Sequence, residues 1–482
     1  MQTLLDNLSA FWPTLLGAAS ALSIVVALLA SGHVVLYKRD VRAAIGWVGL
    51  IWLTPLLGSI LYWAFGINRI RRRAERLERP IVEAAQAGRV YREGTDIEAP
   101  GLAPLAELVS RATNTPLLSG NRITPLVNGD ETYPAMLEAI REARRSVILC
   151  TYIFDADRAG ELFLQALGDA AERGVEVRIL IDGVGARYSR PRMTALLRQR
   201  GLRVAEFLRP HFPIPGPYFN LRNHRKILVV DGRTGFTGGL NIREGCCLDL
   251  APRHPVRDLH FRIEGPVVQQ LFAVAALDWC FTTGEELSGD PWTLQSCPAG
   301  EVEARAISDG PDEDFEAFRT TILGALAVAR KRARVVTPYF LPDQVLITAL
   351  RVAALRGVEI DIVLPERGNL RVVQWASTAQ LWQLLVGGCT VWLSPPPFDH
   401  SKLMIVDGEW SFVGSANWDP RSLRLNFEIN VECYDRDLAA SLDQQVDEKI
   451  AASHRLFAGE LASRPLALRL RDGAARLFAP YL

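Results

Sequence analysis

The chain has 482 residues, enough for two or three domains, and 49% of them are hydrophobic, enough for a large core. Lysine plus arginine equals aspartate plus glutamate at 54 each, so the basic excess of a nucleic-acid-binding protein is absent and no nucleic-acid partner is expected. Seven scattered cysteines, Cys246 and Cys247 adjacent among them, form no Cys-x-x-Cys pattern, which argues against a zinc site and a secreted disulfide framework.

At the amino terminus, Asn7 to Tyr37 and Ala43 to Ile67 contain no Asp, Glu, Lys or Arg. Each exceeds the roughly 20 apolar residues that a bilayer-spanning helix needs. Residues 1–73 therefore read as a membrane anchor with two transmembrane helices, Trp12, Tyr37, Trp47, Tyr62 and Trp63 lying near the ends where amphipathic rings favour the interface. Pro55 and Gly58 leave open a kink or a re-entrant turn in the second stretch. No cationic segment precedes the first, so a cleavable signal peptide is not expected. Cations flank both ends of the second: Lys38, Arg39 and Arg42 before it, and Arg69, Arg71, Arg72, Arg73, Arg76 and Arg79 after it. By the positive-inside tendency the larger cluster belongs in the cytoplasm, which makes the protein multi-pass with both termini inside. The same arginines are placed to attract anionic headgroups. Residues 74–123 mix charge, Gly and Pro without periodicity and read as a linker.

The remainder repeats itself. Val147-Ile-Leu-Cys-Thr-Tyr-Ile-Phe is echoed by Val335-Val-Thr-Pro-Tyr-Phe, and Arg173-Gly-Val-Glu-Val-Arg-Ile-Leu-Ile-Asp by Arg356-Gly-Val-Glu-Ile-Asp-Ile-Val-Leu-Pro. Helical patterns, Glu161 to Arg173 and Leu346 to Arg356, lie between the members of each half. Strand, helix and strand in succession imply βαβ units and an α/β fold of two pseudo-symmetric lobes, 124–290 and 305–455, sharing a cleft. In the tail, 456–482, Leu466 to Leu482 alternates apolar and Arg residues, a pattern for a membrane-surface helix or for packing on the lobes.

The chemistry sits in a doubled motif. His224, Lys226 and Asp231, then Gly238, Gly239 and Asn241, recur 176 residues later as His400, Lys402 and Asp407, then Gly414, Ser415 and Asn417, each Asn seventeen residues after its His. Lys226-Ile-Leu-Val-Val and Lys402-Leu-Met-Ile-Val are apolar runs ending at Asp-Gly, a strand entering a tight turn. Positions i and i+2 of a strand share a face, so each imidazole lies beside a cation. Asp231 and Asp407 fall at an odd offset before a Gly and belong to the turn rather than the reacting centre. Gly239 and Ser415 have small side chains through which backbone N–H groups could approach an anion, with Asn241 and Asn417 as amide donors: a phosphate-binding set.

Two His, two Lys and two Asn suit a phosphodiester. One imidazole attacks phosphorus while the other serves as acid and base, and cations and amides hold the equatorial oxygens. No metal is required. Exchange of one phosphodiester for another conserves the bond type, so no cofactor is required either, and two half-sites in one chain make a monomer sufficient. His33, His211, His254 and His454 lack the paired context and read as ordinary packing or surface residues.

The doubled motif resembles that of the phospholipase D superfamily. Arg222-Asn-His-Arg-Lys-Ile-Leu-Val-Val-Asp-Gly, Gly238-Gly-Leu-Asn-Ile, Asp258-Leu-His-Phe-Arg-Ile-Glu-Gly-Pro and Ser422-Leu-Arg-Leu-Asn-Phe-Glu narrow the resemblance to the bacterial cardiolipin synthases. Ala43-Ala-Ile-Gly-Trp through Trp63-Ala-Phe-Gly is similar to that family's membrane segment. The resemblance implies a catalytic set of His224, Lys226, Asp231, His400, Lys402 and Asp407. It implies transfer of a phosphatidyl group between two phosphatidylglycerol molecules to give cardiolipin and glycerol through a phosphohistidine, His224 being the nucleophile. It also implies a place in the bacterial inner membrane with the catalytic domain cytoplasmic. A hydrolytic phospholipase D, or a transferase using another alcohol, remains the alternative, and a superfamily nuclease a more distant one. The family orients each catalytic His with a carboxylate from a strand after its motif. Asp258 fits that place in the first half, with Glu244 competing, and Glu428 fits it in the second; His260 shares the face of Asp258. The run Pro395-Pro-Pro-Phe-Asp399 before the second motif departs from the family's usual pattern and leaves the shape of one cleft wall open.

Overall fold

The structure is a computed structural model that describes residues 2–38, 41–67, 101–209, 221–294, 297–310 and 316–479, with 2–16 and 42 as backbone alone. Arg39, the arginine cluster Arg69 to Arg79, the first part of the linker, His211 and residues 480–482 lie outside the described residues. Two compact units are present, a small amino-terminal helical one and a large α/β one.

In the amino-terminal unit α1 (Gln2–Tyr37) is continuous, and its segment Gly17–Tyr37 is the one helix among the described residues long and apolar enough to cross a membrane. The expected second transmembrane helix is not there. α2 (Val41–Leu53) stops at Thr54, whose φ of −140° and ψ of 77° are not helical; α3 (Pro55–Leu61) and a π-helical turn, Tyr62–Gly66, follow. Pro55 is the cause, because its ring excludes the helical conformation from the residue before it. The 13 residues of α2 rise about 20 Å, short of the roughly 30 Å of hydrocarbon in a bilayer. The pair of spanning helices is thus corrected to one helix of spanning length and one broken helix.

The α/β unit carries the repeat. Its first lobe supplies β1 (Leu118–Val127), β2 (Ser146–Thr151), β3 (Glu176–Asp182), β4 (Arg203–Phe207), β5 (Arg222–Asn223), β6 (Ile227–Val230), β7 (Thr234–Gly238), β8 (Val256–Arg257) and β9 (Leu259–Glu264). The second supplies β10 (Val302–Asp309), β11 (Arg332–Val336), β12 (Glu359–Pro365), β13 (Thr390–Ser394), β14 (Phe398–Asp399), β15 (Leu403–Val406), β16 (Trp410–Gly414), β17 (Asn426–Tyr434) and β18 (His454–Leu456). The main sheet runs β18-β13-β12-β11-β15-β16-β17-β10-β1-β9-β7-β6-β2-β3-β4. Outward from the antiparallel β10–β1 seam the halves match strand for strand, β17 with β9, β16 with β7, β15 with β6 and β11 with β2, so the sequence repeat becomes a pseudo-two-fold of the sheet. In each lobe three strands run parallel, β2-β3-β4 and β11-β12-β13, joined by helices such as Arg158–Glu172 and Gln344–Leu355. Every residue of β2 is buried, as a strand covered on both faces requires.

The described part of the expected linker is structured. α4 (Ala103–Thr113) buries Leu105, Ala106 and Val109 against Phe318 and Ile322 in the core of the second lobe, and β1 begins at Leu118. Wholly buried Arg305 ties α4 down, donating to Ala106 O (3.0 Å) and Ser110 Oγ (2.6 Å) while pairing with Glu432. In the tail, helix Leu466–Leu477 packs on helix Arg371–Val386, with the Arg471 guanidinium 4.3 Å above Trp375, and leaves Leu466, Leu470 and Leu477 exposed.

Candidate active site

Each histidine is delivered to the site by a strand that crosses the lobe boundary. β5, which ends just before His224, pairs in parallel with β17, placing Arg222 opposite Asn426 and Asn223 opposite Phe427, and the His224 N–H donates to Phe427 O at 2.9 Å. β14, which ends just before His400, pairs in parallel with β8, placing Asp399 opposite Arg257, and the His400 N–H donates to Arg257 O at 2.7 Å. The carboxylates are therefore exchanged between lobes. His224 Nδ1 lies 3.0 Å from Glu428 Oε2, and His400 Nδ1 lies 2.7 Å from Asp258 Oδ2. The expectation that each carboxylate serves its own half is corrected. Segments ending in His reach over the seam, and the receiving segment holds the acid, Glu428 within β17 for His224 and Asp258 directly after β8 for His400. Phe398-Asp399, after the proline run, makes this crossing in the second half as Arg222-Asn223 makes it in the first.

With Nδ1–H directed to a carboxylate, Nε2 of each ring presents its lone pair outward. Lys226 Nζ donates to His224 O at 2.7 Å and Lys402 Nζ to His400 O, so both ammonium groups sit beside the imidazoles as the strand periodicity requires. Burial pushes Lys226 down to about 7 and Lys402 down to about 8, against the opposing pull of the carboxylates. Burial also lowers both histidines; Lys402 and Lys226 depress His400 further, while Glu428 partly restores His224. Burial raises Asp258 to about 6, whereas Glu428, which burial also raises, is held below the carboxylate range by His224, Lys226 and Ser415. The site thus sets imidazoles that burial biases toward the neutral form beside lysines placed to share charge with an anion.

The anticipated backbone cradle for phosphate is not formed. The N–H of Gly239 donates to Leu259 O (3.0 Å) and that of Ser415 to Ile429 O (2.9 Å), so both are spent within the sheet. Their small side chains serve the carboxylates instead. A Cβ on Gly239 would lie 2.1 Å from Asp258 Oδ1, and Ser415 Oγ donates to Glu428 Oε2 at 2.6 Å. Asn241 is likewise turned to the backbone, its Oδ1 accepting from Ile153 N–H at 3.1 Å. Asn417 Nδ2 donates to Ser422 Oγ at 3.2 Å. Asn417 and Lys402 line the same small cavity.

Asp231 and Asp407 do not reach the histidines. Asp231 accepts from the N–H groups of Arg144, Arg145 and Ser146, at 2.9, 2.9 and 3.0 Å, and Asp407 from those of Arg330, Lys331 and Arg332, at 2.8, 2.8 and 2.9 Å. Both adopt positive φ, 52° and 55°, and their carboxylates clamp the start of the neighbouring strand. Asp407→Ala is expected to lower stability by about 1–3 kcal/mol, leaving three N–H groups without their acceptor, while kcat of the folded enzyme holds. Denaturant unfolding alongside initial rates checks this; a normally stable variant with kcat down by about 10²-fold would return Asp407 to the chemistry.

Glu244 forms a peripheral ion pair with Arg158 (2.8 Å) and plays no part at the histidines. His260 packs against Gly238, whose φ of 152° makes the room, and burial pushes it down to about 3, which keeps it neutral. Several neighbours lie in the repeated or motif segments without standing out there as site residues. Tyr152 stands edge-on to His224 with ring centroids 5.1 Å apart, and Tyr339 edge-on to His400 at 6.2 Å. Asn426 Nδ2 donates to Glu428 Oε1 at 3.1 Å, a partner that its i, i+2 position on one strand could have suggested. Arg225 donates to Glu428 O (3.0 Å) and pairs with Asp278 (2.5 Å), bolting the first motif to the second lobe. Among the described residues no group of three or more His, Cys, Asp or Glu is arranged to hold a metal ion.

The family described as "Cardiolipin synthase, PLD-like domain" matches residues 136–249 and 322–450, one segment in each lobe. Together they cover half of the chain. The chain belongs to the phospholipase D-like cardiolipin synthase family. A second family description, "Phospholipase_D-nuclease N-terminal", matches residues 25–66. Among members of the cardiolipin synthase family, "Cardiolipin synthase A" of Pseudomonas aeruginosa (strain LESB58) is 33% identical over 476 residues, covering 95% of this chain and 94% of the relative. The "Major cardiolipin synthase ClsA" of Bacillus subtilis (strain 168) is 30% identical over 460 residues, covering 92% and 95%. The crystal structure of a phosphatidylserine synthase from Haemophilus influenzae Rd KW20 superposes with a TM-score of 0.59 at 16% identity, over 78% of this chain and 100% of that one, a likeness of fold.

Proposed function

We propose that this member of the cardiolipin synthase family makes cardiolipin itself, moving a phosphatidyl group from one phosphatidylglycerol to another. The observation that carries the reading is the pair of buried histidines, each held at Nδ1 by a carboxylate from the opposite lobe and each beside a lysine. His224 Nε2 attacks the phosphorus of the first lipid; the bond to glycerol oxygen breaks, and glycerol leaves with the proton of His400. His400 then takes the proton from a hydroxyl of the second phosphatidylglycerol, whose oxygen attacks phosphorus as the P–N bond breaks. Lys226 and Lys402 neutralise the non-bridging oxygens. The phosphodiester's negative charge offsets the two lysines that, with burial, disfavour protonation of His400, and so lets His400 carry its proton.

Both half-sites belong to one chain, so a monomer suffices. The apolar helix α1 supports attachment to the bacterial cell membrane, and the arginines beyond the second apolar stretch support a cytoplasmic place for the catalytic unit. Purified full-length protein in mixed micelles with labelled phosphatidylglycerol should form cardiolipin and glycerol in equal amounts, and excess glycerol should run the reaction backwards. Phosphatidic acid as the dominant product, with cardiolipin absent across several lipid compositions, would leave a hydrolase; no turnover would leave a lipid-binding protein.

A further inference from the structure

The broken second stretch folds back on itself. Tyr62 and Trp47 have ring centroids 5.5 Å apart, although a continuous helix would hold residues so spaced about 22 Å from each other. A Cβ on Gly58 would lie 2.5 Å from Leu50 O and 2.8 Å from Ile51 Cα, so α3 lies directly against the end of α2, and only a residue without a side chain admits that contact.

Both ends of this hairpin return to the same end of α1. Lys38 Nζ, just beyond the last turn of α1, donates to Gly66 O at 2.9 Å, at the close of the hairpin. One turn deeper, His33 Nδ1 and Tyr62 OH are 2.7 Å apart, and the Trp63 ring lies tilted against His33 with centroids 5.1 Å apart. Deeper still, Ile51 packs with Ala27, Ala30 and Val34. Two antiparallel spanning helices would instead set residues 38 and 66 on opposite faces of the bilayer, about 30 Å apart.

The tip suits hydrocarbon. Leu53 is 83% exposed, and Leu56, Leu57 and Ile60 also face outward. The polar side chains there bond to the helix backbone, Thr54 Oγ1 donating to Leu50 O (3.0 Å) and buried Ser59 Oγ to Pro55 O (2.5 Å), which satisfies them without water. Charge agrees with the geometry. Lys38 and Arg39 precede the hairpin, Arg42 stands in its first turn, and six arginines from Arg69 to Arg79 follow it. A second crossing would separate these two clusters; a hairpin keeps all of them on one side, as the positive-inside tendency prefers.

We propose that Val41–Gly66 is a re-entrant hairpin seated in the acyl layer of a single leaflet, so that the chain crosses the bilayer once, through α1. The flanks of the hairpin and the catalytic unit share the cytoplasmic face, and the amino-terminal end of α1 lies on the opposite one. This rests on the membrane placement given above, and on α1 as its span.

The test is labelling of the full chain in right-side-out vesicles with a membrane-impermeant maleimide, before and after opening, with labelled sites mapped by peptide mass. Exposed native Cys297 reports the face of the catalytic unit. Thr3→Cys, Asp40→Cys, Thr54→Cys and Glu75→Cys are made one at a time, and retained lipid turnover identifies folded variants. Thr3→Cys is expected to react in closed vesicles, Asp40→Cys, Glu75→Cys and Cys297 only after opening, and Thr54→Cys in neither state. Labelling of Asp40→Cys in closed vesicles while Thr3→Cys is protected means two full crossings and overturns the hairpin. Labelling of Thr54→Cys from outside overturns it as well. Reaction of Cys297 in closed vesicles would refute the cytoplasmic placement, and protection of Thr3→Cys together with Asp40→Cys would refute the span through α1; each outcome is distinct from a failure of the hairpin alone.

Discussion

Alanine at either His224 or His400 lowers cardiolipin formation by at least about 10⁴-fold, because nucleophile and acid–base partner act as one unit. The two variants differ with a substrate whose leaving group needs no proton. Phosphatidyl-nitrophenol still transfers its phosphatidyl group to His224 in the His400→Ala variant, nitrophenolate leaving without a proton, so a phosphatidyl-enzyme accumulates on His224, whereas His224→Ala forms none. Mass mapping of the trapped adduct decides the assignment: an adduct on His400 reverses the roles, and near-normal turnover by either variant removes the two-histidine mechanism. The pH profile of kcat/KM supplies a second readout. His224 must be unprotonated to attack, and burial lowers it, so activity rises along an acid limb below the ordinary histidine value of about 6.5. His400 must carry a proton to release glycerol, and burial with the two lysines lowers it, while the lysines must be charged to hold the phosphate. Activity therefore falls again as pH climbs, first as His400 loses its proton and then as Lys226 and Lys402 lose theirs through about 7 and about 8. An acid limb above 6.5 would contradict the burial of the nucleophile.

Glu428→Gln and Asp258→Asn should each cost about 10² to 10⁴-fold in transfer, since an amide in place of the carboxylate disturbs the tautomer and no longer stabilises the imidazolium. Their exchange between lobes makes the two losses differ in kind. Glu428 belongs to the lobe of His400 but holds His224, so Glu428→Gln slows formation of the phosphatidyl-enzyme even from the activated substrate. Asp258 belongs to the lobe of His224 but holds His400, so Asp258→Asn forms the adduct at near-normal rate from that substrate and releases it slowly. Burst kinetics separate the steps. The opposite pattern, with the adduct still mapped to His224, would mean that each carboxylate serves its own lobe and that the observed pairing is not the working one.

Patterns local in sequence were legible before the fold. The i, i+2 placement of Lys226 and Lys402 beside their histidines depends only on the strand repeat of two, and the turn role of Asp231 and Asp407 on an odd offset before a glycine. Expectations that needed knowledge of a neighbour fared differently. Gly239 and Ser415 looked like openings for an anion because small side chains expose backbone, yet their N–H groups are bonded across the sheet, and the space they leave is filled by Asp258 and bonded by Glu428. Residues 103–113 looked like linker because they lie in a stretch that mixes charge, Gly and Pro, and only the core of the second lobe shows what Leu105 and Val109 pack against.

By itself, then, the sequence determined that two copies of one His-Lys-Asp motif exist, that the strands carrying them set an imidazole beside a cation, and that the first 67 residues hold two long apolar stretches. These follow from residue types at fixed spacing, which chain geometry converts to shared faces and apolar stretches without reference to anything distant. Only the tertiary structure decided which carboxylate holds which histidine, because that depends on β5 crossing to β17 and β14 to β8, pairings that link residues 142 and 204 positions apart in the His–carboxylate contacts. It likewise decided that Ala43 to Ile67 is a hairpin. Hydropathy measures how much apolar chain there is, whereas its direction turns on one non-helical residue before a proline and on whether Gly58 can lie against Leu50.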